Sequence, residues 1–159
     1  LTDAFPVADL DELEARIDAW FTAEAARNPM IAAVDRGEPG ERRWYVRLVG
    51  EEKDTFTLWF TLGQRTLRYE TYVMPAPEEN EAAFYRHLLV RNLDLHGWSF
   101  AIGEESAVFL VGALGIGALI GPGLEAELDR LVGSGWAYVE RCFRPALRLG
   151  FASRFKLSQ

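Results

Sequence analysis

PAPEENEAAFYRHLLVRN, residues 75–92, decides how the rest of the chain is read, because it joins three strand-like runs before it to two after it. Pro75 and Pro77 close the preceding run, since proline has no N–H to give to a strand ladder. Glu78, Glu79 and Glu81 then place negative charge where a helix macrodipole is positive, and Arg86 and Arg91 fall toward its negative end. Phe84, Tyr85, Leu88, Leu89 and Leu95 recur at three and four residues, as one helical face requires, while Glu81, Arg86 and Val90 fall away from it. The stretch is predicted to be a helix through Ala82 to Leu93 with one buried side.

Before this helix, Arg43 to Val49, Thr55 to Leu62 and Thr66 to Met74 alternate β-branched and aromatic residues with polar ones, separated by Gly50–Asp54 and Gly63–Arg65. Loops this short between such runs predict antiparallel hairpins. Earlier still, Leu10, Leu13, Ile17, Trp20 and Phe21 keep helical spacing behind Asp9 or Asp11 as cap, and this first helix is predicted to stop near Arg27-Asn28-Pro29. Residues Met30 to Glu41, with Gly37, Pro39 and Gly40, read as a loop or weak turn.

After the central helix, Trp98 to Ile102 and Ala107 to Val111 form a further hairpin across Gly103–Ser106. Gly121-Pro122-Gly123 break the chain, and a last helix opens near Leu124 with Glu125, Glu127 and Asp129 early and Arg141, Arg144 and Arg148 late. Leu128, Val132, Val139, Phe143 and Leu147 line its buried side, Pro145 should kink or interrupt its final turn, and Gly150 should cap it. The prediction is an α+β fold ordered α-β-β-β-α-β-β-α over residues 1–159 as a single domain. One antiparallel sheet of five strands should carry the first and last helices on one side.

Strand alternation assigns the two faces of that sheet. Trp44, Val46, Leu48, Phe56, Leu58, Phe60, Leu67, Tyr69 and Val73 form the apolar set that should meet the helices. Tyr45, Arg47, Val49, Thr57, Trp59, Thr61, Arg68, Glu70, Tyr72 and Met74 form the other. Tyr45, Trp59 and Tyr72 are large amphipathic rings of the type enriched at interfaces. They fit cross-strand pairing on a solvated sheet, and equally a dimer or partner surface. Phe84 and Tyr85 are the candidates if the central helix forms the dimer seam instead.

The proline-acid-glutamate-asparagine entry of residues 75–80, Phe84-Tyr85 followed by Arg86 and Leu88-Leu89, and the exit Arg91-Asn92 resemble the central signature of YbjN-domain proteins. The strand Ser99 to Ile102, the hairpin Ala107 to Gly112 and the tail Leu147 to Ser153 (LRLGFAS) extend the likeness over most of residues 40 to 155. That family resembles the small acidic chaperones of type III secretion. The resemblance implies a secretion-chaperone-like α/β fold, usually a homodimer, that binds a partner protein and carries out no chemistry. It also implies, as the alternative, a regulatory or stress-response adaptor, and it supplies no catalytic residues.

Composition bounds the function from another side. A formal charge of −7 and a pI near 4.9 disfavour a nucleic-acid-binding role, which calls for a clustered basic surface. Cys142 is the single cysteine and reads as a small buried hydrophobe, so no internal disulfide forms. No basic-then-apolar leader opens the sequence, and the longest apolar run, the 14 residues from Ala107 to Ile120, is interrupted by glycines and falls short of the ~20 a membrane span needs. The expectation is a soluble, cytoplasmic protein with no membrane partner.

The motifs that could carry chemistry lack their context. GIGALIG, Gly115 to Gly121, has dinucleotide-like glycine spacing, but Pro122-Gly123 follow where a second parallel strand would be required. It is read as a strand end or bulge where backbone packs closely. His87 and His96 have no further histidine or second cysteine to complete a metal shell. A Cys142–His87 nucleophile pair has no identifiable orienting third residue. The sequence therefore implies no catalytic residue, no cofactor and no metal.

Overall fold

Leu10, Leu13, Ile17 and Phe21 form the buried stripe of α1 (Val7–Arg27), as their spacing requires. The computed structural model describes residues 5–157, with side chains through Arg154; both ends of the expected 1–159 domain lie outside the described residues. The cap of α1 is Pro6, not an aspartate. Asp9 sits in the first turn, and Asp11 instead accepts a hydrogen bond from Arg42 at 2.6 Å.

The remaining elements are β1 (Ile31–Arg36), β2 (Arg43–Val49), β3 (Thr55–Leu62), β4 (Thr66–Met74), α2 (Glu81–Asn92), β5 (Ser99–Ile102), β6 (Val108–Gly115), α3 (Leu124–Gly150) and α4 (Ala152–Leu157). The strands form one sheet in the order β1-β2-β3-β4-β6-β5, with every neighbouring pair antiparallel. The fold is α+β with an antiparallel sheet and helices, as predicted, but the sheet has six strands and not five. The missed strand is β1, inside the stretch read as a loop. Its sequence, IAAVDR, has two alanines of low strand propensity between turn-forming Pro29 and Gly37, and its register slips between Ile31 and Ala33. Pairing with β2, from Ile31↔Leu48 to Arg36↔Trp44, makes it a strand.

The apolar set of β2, β3 and β4 is buried to the last residue. The Phe21 ring of α1 lies 6.1 Å from Trp44 and 5.1 Å from Phe60, and Trp98 Nε1 donates to the Leu131 carbonyl of α3 at 3.2 Å. Helices and apolar face thus share one core. Met74 departs from the alternation: it is buried beside Val73, because Tyr72 pairs with Phe109 and Met74 with Val108, leaving Val73 as a bulge that shifts the period by one.

Around the central helix the structure corrects several expectations. Phe84 and Leu88 are buried, but Leu89 is 65% exposed, because only the i, i+4 pair faces α3 and β5. Phe84, at 0% exposure, belongs to the core and offers no surface; Tyr85 is half-buried beside it, their rings 5.4 Å apart. Glu78 and Glu79 lie outside the helix and hold the far end of α3 and α4. Their N–H groups donate to the Gly150 carbonyl, Glu79 accepts from Ser153, and Glu78 pairs with Arg154. Gly150 is itself helical, not a left-handed cap, and α3 runs on through Pro145. A Cβ at Gly150 would lie 2.7 Å from the Phe84 ring, so glycine there permits close approach of α3 to α2.

GIGALIG continues β6 to Gly115 and then turns through Ile116–Ala118, anchored by buried Ile116 and Leu119. Gly115 and Gly117 face open space, so close packing does not explain them. Gly121 is the position where conformation requires glycine, with φ +106°, and its carbonyl accepts from Arg16 at 2.9 Å.

Candidate functional site

With the helices on one side of the sheet, the other side presents every second residue of its strands to solvent. Tyr45 and Trp59 face each other across β2 and β3, edge to face at 5.0 Å and 88°. Tyr72 and Phe109 do the same across β4 and β6, at 5.7 Å and 83°. Trp59 is 42% and Tyr72 45% exposed. Of the sequence candidates, therefore, Tyr45, Trp59 and Tyr72 share this open face, Phe84 does not, and Tyr85 lies on the helical side.

The charge of this face runs against that of the chain. Arg43, Arg47 and Arg68 stand against Asp35 and Glu70, three positive groups to two negative, in a protein of net charge −7. Arg43 is engaged: its guanidinium lies 6.0 Å from the Trp59 ring centre and its Nε donates to Thr61 Oγ1 at 3.1 Å. Arg47 and Arg68 have no side-chain partner among the described residues. Burial pushes the Tyr72 phenol above its ordinary pKa, and Glu105 adds to the effect.

The open face is not closed along its length. The β3–β4 ladder runs from Leu62↔Leu67 to Trp59↔Glu70 and ends there; beyond it β3 pairs with β2 alone and β4 with β6 alone. The strands thereby part into a cavity of about 620 Å³, walled by Thr55, Phe56, Thr57 and Trp59 on one side and by Glu70, Thr71, Tyr72 and Phe109 on the other. Lys53, from the β2–β3 turn, reaches across its end and donates to the Val73 carbonyl at 2.9 Å. Sequence reasoning missed Lys53, Thr71 and Phe109 because no periodicity records where a ladder stops.

The residues considered for chemistry lie elsewhere. Cys142 is buried in α3, and desolvation pushes its thiol up to about 12, with Arg91 and Lys53 acting the other way. His87 is half-buried; desolvation and then Arg91 lower its pKa, and its Nε2 is without a hydrogen-bond partner among the described residues. Among the described residues no three His, Cys, Asp or Glu side chains gather as they would around a metal ion, and no helix is long and apolar enough to cross a membrane.

The class defined by these features is an α+β protein whose single antiparallel sheet is covered by helices on one face and left aromatic and open on the other. No family model matches the chain. It is similar to uncharacterized proteins of Mycobacterium tuberculosis and Mycobacterium bovis, 32% identical over 108 residues that make up 68% of this chain and 57% of those proteins. An uncharacterized protein of Mycobacterium leprae is 31% identical over 114 residues, 72% of this chain and 60% of that one. The chain thus spans little more than half the length of these relatives.

Proposed function

We propose that the chain is a non-enzymatic, chaperone-like protein-binding module that works as a homodimer and receives a partner polypeptide on the open face of its sheet. The observation that carries this reading is Trp59, half-exposed at the centre of an uncovered face and stacked edge-on by Tyr45. Large amphipathic rings held on a sheet bind with little loss of side-chain freedom, and such rings anchor protein interfaces. The resemblance of residues 40 to 155 to YbjN-domain proteins, and through them to secretion chaperones, supports the same reading.

The unpaired Arg47 and Arg68 favour an acidic partner segment, since an arginine fork recognises carboxylates in two-point contact. The homodimer is supported by α2, where Leu89, Val90 and the following Leu93 are 65%, 51% and 84% exposed, with no cover over that side among the described residues. This stripe replaces Phe84 as the basis for a seam on the central helix.

The test pairs two variants. Trp59→Glu should abolish capture of a partner polypeptide from native lysate while the urea midpoint stays near that of the wild type, because the ring is outside the core. Leu93→Glu should convert a dimer in sedimentation velocity to monomer without loss of capture. Undiminished capture by Trp59→Glu, or a wild-type chain that sediments as monomer at high micromolar concentration, would remove the corresponding half of the reading.

A further inference from the structure

Two polar groups at the parting of β3 and β4 lack the partners that their burial calls for. Thr71 is 1% exposed, and its Oγ1 has no hydrogen-bond partner among the described residues. A buried hydroxyl that no protein group engages keeps its donor and acceptor capacity for a guest that enters beside it. The second group is the Lys53 ammonium. It sits 5.3 Å from the Tyr72 ring and 5.0 Å from the Phe143 ring and has one carbonyl acceptor, but no carboxylate pairs with it among the described residues. Desolvation correspondingly lowers its pKa. A partly buried cation in an aromatic setting, with donors to spare and no carboxylate in direct contact among the described residues, can take an anionic group.

The walls fix what kind of anion. Trp59, Tyr72 and Phe109 offer ring faces and edges to an apolar or aromatic body. Glu70 and Glu104 also line the opening, so each further negative charge on the guest is opposed and a single charge is favoured over a phosphate dianion. We propose that the opening between β3 and β4 is a binding site for a monocarboxylate carried on an apolar or aromatic body, with Lys53 Nζ and Thr71 Oγ1 holding the acid. The site does not rest on the sheet face receiving a polypeptide, because a free small acid and the C-terminal carboxylate of a peptide offer it the same chemistry.

The experiment is a titration of the isotopically labelled full chain followed by backbone amide shifts, with 3-phenylpropionate as probe and 3-phenylpropionamide as its uncharged match. The acid should bind saturably in the millimolar range that suits a fragment of this size, moving the amides of Thr71, Tyr72 and Phe109. The amide should bind at least about tenfold more weakly, the factor that a charge-assisted hydrogen bond supplies. Lys53→Met, which keeps the apolar stem, should lower acid binding to the level of the amide. Should Lys53→Met fold poorly, Thr71→Val carries the test, since it removes a hydroxyl without a partner at nearly constant shape and should weaken the acid several-fold.

Two peptides separate the sources. If acetyl-Val-Phe with a free carboxylate binds at least about tenfold tighter than 3-phenylpropionate, and its C-terminal amide does not, the natural ligand is a polypeptide terminus. If the peptide acid binds more weakly than 3-phenylpropionate, it is a small acid. Equal binding of acid and amide, shifts that map outside the opening, or no saturation in the millimolar range would overturn the site. None of these outcomes depends on Trp59→Glu capture, so the two readings fail separately.

Discussion

Replacing Glu140 by glutamine should unfasten the longest helix from the sheet. Glu140 projects from α3 toward the β2–β3 turn and is 9% exposed. One of its oxygens accepts the Glu51 N–H at 3.0 Å and the other the Glu52 N–H at 2.6 Å, while Trp136 Nε1, one turn earlier, donates to the Val49 carbonyl at 2.9 Å. Hydrogen bonds to a charged acceptor contribute about 1.5 to 3 kcal/mol each, so the pair sums to about 3 to 6 kcal/mol. Glutamine keeps one acceptor and turns an NH2 toward the other donor. Because Glu51 and Glu52 are exposed, their released N–H groups regain water, and the expected loss is about half the sum, roughly 1.5 to 3 kcal/mol. The assay is urea unfolding followed by far-ultraviolet circular dichroism, where the midpoint should fall by about 1 M with an unchanged slope. The neighbouring Arg144–Glu52 pair is exposed, and Arg144→Ala should cost less than about 1 kcal/mol. A Glu140→Gln variant within about 0.5 kcal/mol of the wild type would show that the carboxylate does not hold the turn.

The adjacent leucines of α2 offer a controlled pair: Leu88→Ala should cost about 2 to 5 kcal/mol in a denaturant melt and Leu89→Ala less than about 0.5, and equal losses would mean that the buried side is misassigned. Gly150→Ala pushes a methyl group against Phe84 and Pro77 and should destabilise by about 1 to 3 kcal/mol in the same assay; no loss would mean that α2 and α3 separate freely. For His87, the folded pKa lies below the unfolded value near 6.5, so the unfolded chain binds more protons as pH falls through 6.5 and stability drops there. The urea midpoint should therefore decline across that window by an amount that His87→Gln removes, and an unchanged decline in the variant would exclude the imidazole as its source. Cys142, with its thiol pushed up to about 12, should react with iodoacetamide at mildly alkaline pH only as fast as the chain unfolds; labelling of the native protein ahead of unfolding would contradict its burial.

Much of this arrangement was legible in the sequence, and the gaps have physical causes. The faces of β2, β3 and β4 follow from strict alternation, since a one-residue slip would have put Trp44 and Phe60 into water. β1 was not legible because Ala32 and Ala33 carry almost no local signal and the strand exists through its partner. Leu89 was misassigned because helical spacing tells which side chains share a stripe but not how wide a stripe the neighbours cover. Glu78 and Glu79 matched a helix start so well that their tertiary role, gripping Gly150 and Ser153 some seventy residues on, had no separate mark. Tyr45, Trp59 and Tyr72 were placed by alternation alone, whereas Lys53 and Thr71 acquire their character only where the ladder between β3 and β4 stops.

The two border strands of the sheet offer a neighbouring chain little to add to. β5 is four residues long, and β1 is six, broken in register and overlain by Arg36 reaching to Glu14 and Asp18 of α1. Short, interrupted and charge-guarded borders deny a neighbouring chain the row of unpaired donors and acceptors on which fibrils grow. A sheet that leaves an aromatic face open is in this way guarded at its two sides against strand-on-strand growth.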